Sequence, residues 1–235
     1  MSHDRARWII ALLLTAPVLT IPNIAVSAAT VVYDNTTTPV TGPWTAETEK
    51  GVWPFSKFGA YEDMGDEITL AGTARTVTGF EVILLSPSQE TILSSTATEP
   101  SLALTFWSND GFDVDGHPGA PGTSLWEGSI SSDITLPMNV PTTVTFSVPD
   151  VVVPDTFTWT TRGDSLSAGM AIYDPPTVGS SGDHYWDLYA GDWYPLNFNG
   201  DPVANFGARV TAVPEPSALA VLVLGGLSAL RRRRR

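Results

Sequence analysis

Through the middle of this chain apolar residues recur at every second position, and no stretch of it carries the three-to-four spacing of an amphipathic helix. Ile68 and Leu70 alternate with polar neighbours, and Phe80, Val82 and Leu84 share one side. Leu102, Leu104 and Phe106 repeat the period, with Thr105 and Trp107 facing the other way. The pattern returns at Val144, Phe146 and Val148 within Thr142–Val148, and at Phe157 and Trp159 within Thr156–Thr160. Met170 with Ile172, and Phe206, Ala208 and Val210, complete the set. Successive side chains of a strand point to opposite faces, so this period means half-buried antiparallel strands. Proline and glycine punctuate the gaps, as in Asp115–Gly122 and Asp174–Gly182. The expected fold is all-β: a single antiparallel β-sandwich of jelly-roll type over residues 30–212, flanked by an N-terminal signal helix and a C-terminal transmembrane helix.

The two ends depart from this pattern. Arg5 and Arg7 precede an apolar run from Trp8 to Leu19, and the small residues Val26-Ser27-Ala28-Ala29 follow. That order is a secretory signal over 1–29, with cleavage by signal peptidase expected after Ala28 or Ala29. At the other end, residues 213–235 hold Pro214-Glu215-Pro216, the apolar segment Ser217–Leu230, and Arg231, Arg232, Arg233, Arg234 and Arg235. The prolines favour an extended backbone suited to a protease or transpeptidase groove. As a helix the apolar segment would be roughly 21 Å long against a hydrocarbon core of roughly 30 Å. Snorkelling arginines and local thinning make up the difference, and the arginines favour the cytoplasmic side. Thr211-Ala212-Val213 reads as a short bridge to this anchor.

The tail resembles the PEP-CTERM sorting signal of Gram-negative bacteria, carried here by Pro214, Glu215, Pro216 and Arg231–Arg235 in order at the chain end. The resemblance implies recognition by an exosortase, a membrane-embedded cysteine transpeptidase, and an association with exopolysaccharide and biofilm matrix. The body is similar to secreted bacterial β-sandwich domains that carry this tail, at Phe106-Trp107-Ser108-Asn109-Asp110-Gly111, Pro121-Gly122-Thr123 and Ala204-Asn205-Phe206. That similarity implies a fold, with no activity attached.

Between the two ends the basic residues are Lys50, Lys57, Arg75, Arg162 and Arg209, five against 23 acids, so the body carries −18 where the whole chain carries −13. Such a charge excludes nucleic acid as a partner and repels anionic surfaces. The chain has no cysteine, which excludes thiol catalysis, zinc-thiolate sites and disulfide staples.

Two stretches offer chemistry. Asn109-Asp110-Gly111-Phe112-Asp113-Val114-Asp115-Gly116 gathers oxygens at alternate positions, with Asn109, Asp110, Asp113 and Asp115 as candidate metal ligands and Ca²⁺ as the one cofactor the sequence offers. Gly111 and Gly122 stand where an EF-hand would place its first and closing ligands, so an ordinary hairpin loop is the competing reading. Asp183-His184-Tyr185-Trp186-Asp187-Leu188-Tyr189, with Asp192-Trp193-Tyr194, reads as an aromatic-rich loop. There Tyr185, Trp186, Trp193 and Tyr194 could stack on sugars, or could cover one end of the sandwich.

Catalysis finds little footing. Outside the signal only His117 and His184 are histidines, Gly179-Ser180-Ser181-Gly182 is not a nucleophile elbow, and no His-Glu-x-x-His sequence or phosphate-binding glycine loop occurs. His184 reads as a loop residue rather than a general base. Asn35-Thr36-Thr37 fits a glycosylation sequon.

The leading expectation is an exported, non-enzymatic envelope or matrix protein, anchored in the inner membrane as a precursor with its body outside the cytoplasm. A carbohydrate-binding module, Ca²⁺-assisted or not, with extracellular polysaccharide as partner, is the second reading. A glycoside-active enzyme is the third.

Overall fold

The computed structural model describes residues 28–40, 52–54, 63–87, 89–96, 98–163, 167–198, 200 and 203–215. The signal reading up to Ser27 and the tail reading from Pro216 onward, Arg231–Arg235 included, lie outside the described residues. No helix among the described residues is long and apolar enough to cross a membrane.

The described chain is all β. Its strands are β1 (Thr30–Asp34), β2 (Val52–Pro54), β3 (Met64–Thr69), β4 (Thr76–Leu85), β5 (Thr91–Leu93), β6 (Leu102–Trp107) and β7 (Ser124–Ile130). They continue as β8 (Ile134–Leu136), β9 (Thr142–Val152), β10 (Thr156–Gly163), β11 (Gly169–Ala171), β12 (Ser180–Tyr189), β13 (Asp192–Leu196) and β14 (Ala208–Val213). One six-stranded sheet runs β1-β14-β4-β11-β2, with β9 on the other side of β4. The second six-stranded sheet runs β13-β12-β3-β10-β6-β7, and β5 with β8 forms a separate pair.

The alternating residues meet between these two sheets. Phe80, Val82, Leu84, Phe146 and Val210 of the first sheet join Ile68, Leu104, Phe106, Phe157 and Trp159 of the second in one buried cluster. The Phe80 ring lies 5.5 Å from Phe106 and 5.0 Å from Trp159. Phe157 meets Phe106 edge-on at 5.2 Å. Each such pair adds about 0.5–1.5 kcal/mol to the burial of its rings. The side opposite this core is where Thr105 and Trp107 point, as the alternation of β6 requires.

Two sequence expectations are corrected. The aromatic-rich stretch 183–194 is no loop but a β-hairpin, β12 and β13, turned by Ala190 (φ 54°) and Gly191 (φ 91°). A two-residue turn with both φ values positive matches the right-handed twist of its strands. Ser180-Ser181-Gly182 belongs to the start of β12, after a turn at Gly179 (φ 76°). Thr211-Ala212-Val213, read as a bridge, is the end of β14. That strand lies between β1 and β4, with Thr30 opposite Ala212 and Val213 opposite Thr76.

The connection into β14 is held by side chains from both sheets. The Phe206 N–H donates to Asp66 Oδ2 at 2.6 Å, and the Ala204 N–H donates to Asp183 Oδ1 at 3.1 Å. Asn35 Nδ2 donates to the carbonyls of Tyr173 (2.7 Å) and Phe206 (3.2 Å). Asn35 is wholly buried, so its sequon is closed to a glycosyl carrier. Asp66 is also wholly buried, and burial pushes its carboxyl well above the usual carboxylate range, against the opposing pull of the Phe206 N–H.

A folded-state pKa above the unfolded one contributes stability that is complete below the unfolded value and is lost as pH rises toward the folded one. Asp66→Asn should therefore be more stable than the parent at neutral pH. The difference should grow with pH above about 4, with a slope of up to about 1.4 kcal/mol per pH unit. Urea midpoints of both proteins across that range check this, and a difference independent of pH would contradict it.

Candidate functional site

The outer face of the second sheet gathers aromatic and ionisable side chains. Thr160 of β10, Gly65 of β3 and Trp186 of β12 share one row across it, with Thr105 and Glu127 continuing the row through β6 and β7. A β-carbon at Gly65 would collide with the carbonyl of Trp159 and lie 2.7 Å from the Thr160 Cα. The floor at Gly65 is thus bare backbone. On the same face Trp107 from β6 and Trp193 from β13 meet edge to face with ring centroids 5.5 Å apart. The Trp107 indole N–H donates to Thr160 Oγ1 at 2.9 Å, which fixes its ring over the sheet.

Ionisable groups border the rings. Asp63 is buried and accepts from Thr160 Oγ1 (3.2 Å) and Arg162 Nη1 (3.4 Å). Arg162 Nη2 lies 3.5 Å from Glu127 Oε1. Burial raises the Asp63 pKa, and Arg162 pulls against it. Burial likewise raises Glu67, with His117 opposing.

The loop from Ser108 to Thr123 folds over the same face. Its base is set by Asp110, which accepts from the Thr123 N–H (2.7 Å), Thr123 Oγ1 (2.8 Å) and Ser108 Oγ (2.7 Å). These bonds, led by the Thr123 N–H, hold the Asp110 carboxyl down to about 2. Asn109 Nδ2 donates to Glu67 Oε2 at 2.8 Å, and Thr158 Oγ1 donates to Asn109 Oδ1 at 2.9 Å, tying the loop to the sheet. At the tip, Val114 and His117 exchange backbone bonds of 3.0 and 2.8 Å around Asp115 (φ 49°) and Gly116 (φ 83°).

His117 from this tip packs against His184 of β12, the rings tilted by 47° with centroids 4.4 Å apart, and lies 6.5 Å from Trp186. The body's two histidines, far apart in sequence, therefore meet. Burial lowers the His184 pKa, the neighbouring His117 lowers it further, and Asp183 opposes them.

Against the sequence expectations, the geometry separates what was grouped and joins what was separate. Tyr185 is buried on the inner side, stacked on Phe198 at 5.5 Å and edge-on to Phe206. Trp186 lies on the outer face, wholly buried under the aromatic cover. Trp193 is half-buried on that face, and Tyr194, next in β13, projects from the other side and is exposed. The four residues make no common platform. Of the candidate calcium ligands, Asn109 is bound to Glu67 and Thr158, Asp110 to Thr123 and Ser108, and Asp113 to the Gly119 N–H at 3.1 Å. Asp115 stands at the tip turn. Among the described residues no group of three or more histidines or acids is placed to hold a metal ion.

Sequence reasoning missed Trp107, Asp63, Arg162 and the meeting of His117 with His184. The one available signal was Trp107 alternating away from the core side of β6. Of the residues read from the sequence as a sorting signal, Pro214 and Glu215 follow β14 directly, Glu215 exposed.

Comparisons with protein-family models, curated proteins and solved structures return no match. The chemistry of this face rests on its own residues.

Gly65→Ala should lower stability by at least about 2 kcal/mol, because the obstructing atoms are backbone and cannot turn aside. Its urea midpoint measures this, and a parental midpoint would contradict the close approach. Asp110→Ala should speed amide exchange at Thr123 and Gly122 while leaving β10 protected, as read by hydrogen-exchange mass spectrometry.

Proposed function

We propose that this chain is an exported, non-enzymatic β-sandwich protein of jelly-roll type, serving in the cell envelope or extracellular matrix. Residues 1–29 direct export and are removed by signal peptidase. Residues 213–235 hold the body at the inner membrane, facing outward, until an exosortase acts at Pro214-Glu215-Pro216.

One observation supports this division best. The first strand opens at Thr30, directly after the expected cleavage site, and the last closes at Val213, directly before Pro214. The two strands are paired, with Thr30 opposite Ala212, so both ends leave the body side by side. A body tethered at one such pole hangs from a single point, with the rest of its surface free. Its −18 balance suits an outward, hydrated position away from anionic lipid.

Replacing Glu215 with alanine should leave the chain as a heavier, membrane-held form in a host that carries an exosortase. Intact-mass analysis and fractionation of parent and variant read the outcome. Equal processing of both would sink the sorting role.

A further inference from the structure

Three buried polar atoms on the outer face of the second sheet have no hydrogen-bond partner: Trp186 Nε1, His184 Nε2 and Arg162 Nε. The Trp186 and His184 rings stand edge-on, 5.6 Å apart. An unmet buried polar atom costs about 1–3 kcal/mol. An indole N–H only donates, and a neutral imidazole nitrogen accepts or donates according to its tautomer. A single group that serves both must accept from the indole and answer either form of the imidazole. A hydroxyl does this; a carbonyl serves one tautomer only, and an apolar group serves neither atom.

The surroundings narrow the class further. Trp107 and Trp193, half-buried on the same face of the sheet, offer ring surface of the kind against which the C–H face of a sugar ring packs. Arg162 adds a third unmet donor, and its contacts to Asp63 and Glu127 are long, at 3.4 and 3.5 Å. Asp63, Glu67, Glu127 and Asp183 border the face, so an anionic ligand would enter a repulsive field. His117 covers His184 and Trp186 from the tip of its loop, while the loop base is pinned at Asp110.

We infer that this face binds a neutral saccharide, with one ring hydroxyl taking the Trp186 indole N–H and the His184 imidazole, and with Trp107, Trp193 and Arg162 alongside. The inference does not depend on the sorting reading; of the four glycan candidates in the sequence it keeps Trp186 and Trp193, drops Tyr185 and Tyr194, and adds His184, Trp107 and Arg162 from the same face.

The test uses the full chain in a sugar-free zwitterionic detergent, at a neutral pH where imidazole is mostly uncharged. Neutral gluco-, manno- and galacto-oligosaccharides are titrated while the indole N–H signals of the eight tryptophans are followed by NMR. At least one neutral series should move the Trp186 signal saturably. Trp186→Phe and His184→Phe should each weaken that binding about tenfold, with melting curves confirming folded protein. His117→Ala should retain it. The inference is overturned if no neutral series moves the Trp186 signal, if binding survives both substitutions undiminished, or if acidic oligosaccharides bind in preference.

Discussion

The last strand occupies an interior place in its sheet, and the rest of the fold depends on that. β14 bonds to β1 on one side and β4 on the other, so the first sheet is not continuous until the final residues of the body are in place. Its inward residues, Ala208, Val210 and Ala212, are small and wholly buried, which lets the strand sit close under Phe80 and its neighbours. Chain ends paired across a sheet are a closure of long sequence separation, and such closures form late and cooperatively. β1 lies at the edge of that sheet and is held there by β14 alone, in a chain with no cysteine for cross-links.

The segment leading into that strand shows how polar groups can serve a core. Ala204-Asn205-Phe206 crosses from the second sheet to the first, where its backbone N–H groups have no strand to pair with. Asp183 and Asp66 accept the Ala204 and Phe206 N–H groups from across the body, the Asn205 N–H turns back to the Val203 carbonyl, and the Asn205 side chain exchanges bonds with Ser181 and Asp174. Asp66 costs stability when ionised, yet it supplies the acceptor that the Phe206 N–H needs. Specific geometry is obtained here at some expense of stability.

The strands with clean alternation were legible in the sequence because one face of each meets the core: β4, β6, β9, β10 and β14 lie where Phe80, Phe106, Phe146, Trp159 and Val210 repeat. The hairpin of β12 and β13 was not legible, because the aromatic Tyr185 and Trp186 are buried on opposite faces, whereas the buried outer residues of β6 and β10 are Ala103, Thr105, Thr158 and Thr160, which leave the apolar period readable. The acidic turn invited a metal reading because its oxygens fall at alternate positions. In the fold Asp110 Oδ1, Asn109 Oδ1 and Asp113 Oδ1 accept from the Thr123 N–H, Thr158 Oγ1 and the Gly119 N–H, within the loop and across to β10. The meeting of His117 with His184 depends on a loop folding back over a sheet, and no local pattern encodes that. What remains on that face is a set of rings and unmet donors turned outward, opposite a core turned inward.

The account holds that the folded body ends at Val213 and cannot do without β14. Comparing urea unfolding of chains that end at Val213 and at Gly207 tests this most directly. The first should unfold in one cooperative transition with the midpoint of the full chain, and the second should show no cooperative transition. A chain ending at Gly207 that unfolds like the parent, or one ending at Val213 that has lost the transition, would contradict the account.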